Sequence, residues 1–203
     1  MITGFRWDIK GAQNLYNIKP DISTFGKAIA NGFSMSVIGG KRKIMQIASL
    51  KNSKKNNFFF LSSTHGAEMV SLNAFIATFN FYKRNKVVEK NKLYGQKLKS
   101  QFNKISEDLG LKEIISMDGL PCSPIINYNY KEQGLKLKTF FLQEMAKKEI
   151  LIPWISISYR HNEKELNKTL NASFEVLKKI KQTIKTRNNF LIKGEIIKPI
   201  FKF

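Results

Sequence analysis

Apolar side chains recur every three or four residues through much of this chain, and this spacing restricts its fold most. The pattern runs through residues 66–83, 94–109 and 163–184. A helix repeats every 3.6 residues, so a stripe at this spacing lines one face of an amphipathic helix. The sequence therefore predicts three long helices, each with one face in a core.

Residues at the helix ends support this interpretation. Gly110 follows the second stretch, and glycine readily takes the left-handed conformation that ends many helices. Asn162 precedes the third, with Glu165 three residues later, which is the spacing of a capping box. The second helix should end near Gly110 and the third begin after Asn162.

Shorter segments predict strands between these helices. Residues 33–38 run into Gly39-Gly40, which indicates a strand that ends in a tight turn, and a basic helix should begin at Lys41. Further segments predict strands at 113–117, 124–130 and 155–159, and a helix at 135–148. The result is an α+β arrangement whose one plausible domain boundary lies near Arg84-Asn85.

Composition limits the classes of function. An apolar share of 42% over 203 residues fits a globular protein with a sizeable core. The net charge of +20 raises nucleic-acid binding as an alternative, but lysines such as Lys90 and Lys97 alternate with apolar positions, as on solvated helix faces. A single cysteine, Cys122, and two histidines favour neither an internal disulfide nor a metal cluster. No apolar stretch is long enough to span a membrane, and without a leader pattern we expect a cytoplasmic protein.

Two segments could carry chemistry. Lys27 follows Gly26 among small residues, a setting in which desolvation could lower the pKa of a Schiff-base lysine. The alternative is a solvated loop lysine. Ser63 and Thr64 lie just before the first long helix, where hydroxyls and free N–H groups can hold a phosphate, although a plain helix cap is the more common explanation of such residues. His65 and His161 lack a nearby catalytic constellation and receive no role.

The order of several short motifs resembles a known family. They are Thr3-Gly4-Phe5-Arg6, Gly11-Ala12-Gln13, Tyr16, Pro20-Asp21, Gly26-Lys27 and Gly39-Gly40-Lys41-Arg42. Together they resemble the class III pyridoxal-phosphate-dependent aminotransferases, in particular glutamate-1-semialdehyde aminomutase-like members. Residues 155–170 and the tail from Lys193 are also similar to this family, so the resemblance covers nearly the whole chain.

The resemblance implies a fold and a mechanism. Residues 1–84 would be the remainder of a type I large α/β domain with a mostly parallel sheet, and residues 85–203 a small α+β domain. Lys27 would bind pyridoxal 5'-phosphate as a Schiff base, and Ser63 and Thr64 would contact the cofactor phosphate of the neighbouring subunit in a homodimer. The substrate would be a small amino or keto compound.

The resemblance also implies departures from the family pattern. An aspartate directly before the Thr-Gly-Phe-Arg motif pairs with the cofactor ring in this family, and Met1-Ile2 stand there instead. We therefore expect an N-terminally truncated C-terminal half, and the alternative is a catalytically inactive fragment. The residues after Thr64 differ from those of a true aminomutase, so a sibling transaminase fits equally well.

Overall fold

The computed structural model describes residues 4–48, 66 and 68–198. The chain forms two compact units, Met1–Glu89 and Lys90–Phe203. Among the described residues, no helix is long and apolar enough to cross a membrane.

The first unit contains short helices, one hairpin and one long helix. In chain order these are α1 (Gly4–Trp7), α2 (Ala12–Leu15), β1 (Ile22–Gly26), β2 (Ser36–Gly40), α3 (Arg42–Met45) and α4 (Met69–Arg84). The second unit contains most of α5 (Val87–Asp108), then β3 (Ile115–Leu120), β4 (Ser123–Tyr128), α6 (Gly134–Ala146) and α7 (Glu163–Lys185). The units divide inside α5, after Glu89.

Strands β1 and β2 pair antiparallel, with Ile22 opposite Gly40 and Gly26 opposite Ser36. The resemblance implied a mostly parallel sheet for this part of the chain, and the two described strands do not form one. Their connection spans only residues 27–35, which is long enough for a hairpin but short of the dozen or more residues that a parallel crossover needs.

The second unit has its own core between α5, α6, α7 and the β3–β4 hairpin. Its fully buried side chains include Phe102, Ile115, Leu137, Phe141 and Leu177. Polar side chains of α5 fix the hairpin to it: the Asn103 amide donates to the carbonyl of Met117 at 2.8 Å and accepts from its N–H at 2.7 Å. The apolar stripes predicted for α5 and α7 therefore meet in this core.

The signals at the helix ends are confirmed, but one strand prediction is wrong. Asn162 accepts from the N–H of Lys164, and Glu165 accepts from the N–H of Asn162, which completes the capping box of α7. Gly110 has φ of +71° and follows the end of α5 closely. Residues 155–159 are not a strand in the structure. Ile157 is buried while Ser156 and Ser158 are exposed, so the alternation reflects burial without pairing to a neighbouring strand.

Glu144 is a buried carboxylate on α6, with 8% of its side chain exposed. It accepts hydrogen bonds from Lys147, from Lys179 of α7 at 2.6 Å and from Gln143 at 3.1 Å. Burial by itself raises the pKa of Glu144, but these hydrogen bonds outweigh it and lower the pKa from 4.5 to about 2. The charged form therefore stabilises the contact between α6 and α7.

We predict that the second unit loses stability as the pH falls from about 4.5 towards 2. A lowered carboxylate pKa contributes stability above the unfolded pKa, and that contribution, up to about 3 kcal/mol, disappears as the folded group is protonated. The Glu144→Gln variant should be less stable than the parent at neutral pH, and this difference should shrink with acidification.

Urea unfolding of proteins that also carry Trp7→Phe measures the stability of the second unit, because Trp154 is then the remaining tryptophan and lies in that unit. Glu149→Gln is the matched control, since Glu149 pairs with Lys168 at 3.2 Å on an exposed surface. A pH profile of Glu144→Gln parallel to that of the parent would contradict the assignment.

Candidate functional site

Lys27 directly follows β1 and begins a 3₁₀ turn, Lys27–Ile29. Its φ is +52°, in the left-handed region where a side chain costs roughly 1 kcal/mol or more. Asn31 and Gly32 also have positive φ, of +46° and +113°. The backbone therefore turns sharply on both sides of Ile29, and the lysine stands at the first of these turns.

Packing behind the turn stabilises this conformation. Ile29 and Ala30 are buried against Phe5 of α1, in a cluster that also contains Phe75 and Phe79 of α4. The rings of Phe5 and Phe79 lie 6.0 Å apart. The motif residue Phe5 thus supports the segment that carries Lys27, because the two buried residues leave the turn little freedom to move.

A second motif supports β1 from α2. The Ser23 hydroxyl donates to Oε1 of Gln13 at 2.6 Å. Gly11 has φ of +85°, and a Cβ there would lie 3.2 Å from the Phe25 ring. Gly11 therefore permits both the backbone turn and the close approach that let Gln13 reach the strand leading to Lys27.

Two further motifs, Pro20-Asp21 and Gly39-Gly40-Lys41-Arg42, meet where β1 begins and β2 ends. The N–H of Lys41 donates to the carbonyl of Asp21 at 2.9 Å, and their side chains form an ion pair at 2.5 Å. A Cβ at Gly40 would lie only 2.5 Å from the Asp21 carbonyl oxygen. The two motifs are adjacent because the strand register brings Gly40 opposite Ile22.

Of the predicted site residues, Lys27 lies within the described part of the chain and the others do not. The side chain of Lys27 is exposed, so the described residues do not form the desolvating pocket that the sequence analysis expected around it. Ser63 and Thr64 lie outside the described residues, as does His65. Among the residues described, no group of three or more His, Cys, Asp or Glu side chains could hold a metal ion.

Two features of this site could not be predicted from the sequence. One is the left-handed backbone at Lys27, which no local signal predicts because lysine has no preference for it. The other is the Gln13–Ser23 hydrogen bond. Gln13 was part of a recognised motif, but the identity of its partner depends on how α2 packs against β1.

Comparison with known proteins identifies the family. The family described as aminotransferase class III matches residues 3–151. The chain therefore belongs to the class III aminotransferases, as the sequence motifs predicted.

Two relatives illustrate the similarity. The chain is 31% identical over 187 residues to a 3-aminobutyryl-CoA aminotransferase of Cloacimonas acidaminovorans, covering 90% of this chain and 43% of that protein. It is 29% identical over 195 residues to a glutamate-1-semialdehyde 2,1-aminomutase of Nitrosopumilus maritimus, covering 89% and 45%. The chain thus spans less than half the length of the curated relatives it matches.

Solved structures show the same fold at low sequence identity. The FumI protein of Sphingopyxis sp. MTA144, determined in its PLP internal aldimine form, superimposes with a TM-score of 0.75 at 19% identity over 90% of this chain and 42% of its own. An omega-transaminase of Sphaerobacter thermophilus gives 0.75 at 16% identity over 86% and 42%. The predicted fold class, part of a type I pyridoxal-phosphate transferase, is confirmed.

We predict that Gly40→Ala disrupts the hairpin that carries Lys27. Because the added Cβ would collide with a backbone oxygen, the strands must separate, and we expect a loss of about 1–3 kcal/mol in local stability. Hydrogen–deuterium exchange of the β1 and β2 amides measures this loss as faster exchange.

Gly39→Ala is the matched control, since a Cβ at Gly39 meets nothing within 4 Å. Its effect should stay within about 0.5 kcal/mol. Equal protection in the two variants would show that the close approach at Gly40 does not limit the hairpin.

Proposed function

We propose that this chain is the C-terminal part of a pyridoxal-phosphate-dependent aminotransferase or aminomutase in which Lys27 binds the cofactor. The observation that carries this proposal is the presentation of Lys27 on a turn that family motifs support from behind. α1 contributes Phe5, α2 contributes Gln13, and the strand register joins Asp21 to Lys41. These contacts favour a lysine held in one place over a lysine on a variable loop.

The residues around Lys27 fit a planar cofactor. Lys27 lies between two small residues, Gly26 and Ala28. Its amine is exposed, so it can reach and attack a carbonyl carbon. A neutral amine is needed for that attack, and desolvation is one way to obtain it. The chain spans less than half of its relatives, so we assign the walls that exclude water to parts of the full protein other than the described residues.

Lys27 acts twice in the proposed mechanism. Its amine would hold the cofactor through a covalent bond. When the amine is not bonded to the cofactor, it would act as the base that removes the proton from the substrate Cα. Bound pyridoxal phosphate supplies an electron-accepting ring for this proton transfer.

We also propose that the protein is a homodimer whose subunits share the active site, and that it is located in the cytoplasm. Ser63 and Thr64 of one subunit would contact the cofactor phosphate held by its neighbour, since hydroxyls before a helix suit an anion. The relatives named above include both an aminotransferase and an aminomutase. We infer only that the substrate is a small amino or keto compound.

Borohydride reduction of the full-length protein with pyridoxal phosphate should attach the cofactor to Lys27. Reduction converts the Schiff base to a stable amine, and peptide mass spectrometry then locates it among the 30 lysines of this chain. Lys27→Ala should remove the specific label and its ~420 nm absorbance, the band expected of a protonated Schiff base.

Lys10→Ala is the control, because Lys10 is an exposed lysine of the same unit outside the turn. It should leave the labelling of Lys27 unchanged. Specific attachment to a different lysine would refute the assignment.

A further inference from the structure

Residues 30–33 form a tight turn at the end of the segment that carries Lys27. The N–H of Phe33 donates to the carbonyl of Ala30 at 3.3 Å, and the two residues between them, Asn31 and Gly32, have φ of +46° and +113°. Positive φ at both central positions is the pattern of a type I′ turn, for which Asn-Gly is a preferred pair. The backbone geometry therefore accounts for this pair of residues.

The Asn-Gly pair also has a chemistry of its own. The backbone nitrogen of the residue after an asparagine can attack the side-chain carbonyl carbon, Cγ, and close a five-membered ring. A side chain on that following residue hinders the attack, and glycine has none. Asn31 is the only asparagine of this chain that is followed by glycine.

The outer side of the turn is open. Asn31 and Gly32 are both exposed, and nothing lies within 4 Å of the place that a Cβ on Gly32 would take. In the part of the chain that the structure describes, the Gly32 N–H donates to no backbone carbonyl. The nitrogen of Gly32 and the side chain of Asn31 can therefore come together without displacing a packed neighbour.

Asn17 provides a contrast within the same unit. It is also exposed and left-handed, with φ of +51°. The nitrogen that follows it, that of Ile18, donates to the carbonyl of Gln13 at 2.8 Å, and the β-branched side chain of Ile18 crowds the approach. The two asparagines thus share exposure and backbone conformation but differ in the availability of the next nitrogen.

We propose that Asn31 is a site of spontaneous deamidation in the folded protein. The Gly32 nitrogen gives its proton to hydroxide and bonds to Cγ of Asn31, and the side-chain nitrogen takes up a proton and leaves as ammonia. Water then opens the ring at either carbonyl, which yields aspartate or isoaspartate. Each event consumes one water molecule and releases one ammonia. Deamidation does not depend on the role proposed for Lys27, because no cofactor takes part.

The modification changes the end of the turn that carries Lys27. Both products have a carboxylate where Asn31 is neutral. Isoaspartate also routes the main chain through the former side chain, which adds a carbon atom to the loop that the Phe33 hydrogen bond closes. Ala30, whose carbonyl accepts that bond, is 1% exposed in the cluster behind Lys27. Deamidation therefore acts directly beside the packing that holds this segment.

Ageing of the full chain in heavy-oxygen water at mildly alkaline pH measures the reaction. Each ring opening places one heavy oxygen in the new carboxylate, so the affected peptide gains about 3 Da. Trypsin digestion in ordinary water then releases residues 28–41, in which Asn31 is the only side-chain amide. We expect at least about fivefold more label at Asn31 than at Asn17, because glycine does not block the attack and isoleucine does. Absence of label at Asn31, or equal label at the two asparagines, overturns the proposal.

Two further measurements test the route. Asn31→Gln should abolish the label, because the longer side chain must close a less favourable six-membered ring, whereas Asn17→Gln is the matched control and should leave the label at Asn31 unchanged. A protein-isoaspartate methyltransferase with a labelled methyl donor should modify the aged parent chain but not aged Asn31→Gln. Aspartate as the sole product would show direct hydrolysis of the amide by water and refute the attack by Gly32.

Discussion

Burial of Ile29 and Ala30 against Phe5 is the interaction on which the candidate site depends. Burying a side chain the size of isoleucine contributes about 2 kcal/mol, which offsets the roughly 1 kcal/mol cost of a left-handed lysine two residues earlier. The turn therefore keeps its unusual backbone because the residues after it are fixed. Without this anchor, Lys27 would lie on an ordinary loop and could not be held in one direction.

The second unit is stabilised by a separate set of contacts. Three amphipathic helices pack with a hairpin around one core, and the Glu144 carboxylate links α6 to Lys179 of α7. The chain after α7 is held on α6, where Gln143 accepts from the N–H of Lys193 at 2.7 Å and Thr139 from that of Ile197 at 3.0 Å. Segment 150–157 covers the core of this unit with some of its apolar side chains and leaves others, such as Leu151 and Trp154, exposed.

Membership of the class III aminotransferases explains the motifs of the first unit, but the chain covers only 43–45% of the relatives named above. The position of an amine and its protonation depend on different parts of a protein. Local packing determines where Lys27 lies, whereas the reactivity proposed for its amine would depend on surroundings that exclude water. The described residues fix the position of Lys27 but leave its side chain exposed to water.

Much of the fold could be predicted from the sequence, since local patterns are sufficient for helices. The apolar stripes predicted α4, α5 and α7 because a buried helix face must repeat every 3.6 residues, and Asn162 with Glu165 predicted the start of α7. The motifs around Lys27 were also sufficient for the family. In each case the information lies within a few residues of the feature that it predicts.

Tertiary structure decided whatever depends on distant partners. Residues 155–159 have the alternation of a strand, but a strand also needs a neighbour to pair with, and none pairs with them in the described chain. The partner of Gln13 and the lowered pKa of Glu144 likewise depend on which segments meet. Thus the sequence by itself determined the helices, the family and the candidate lysine, whereas only packing decided the backbone of that lysine and the lowered pKa of Glu144, because those properties belong to contacts between separate segments.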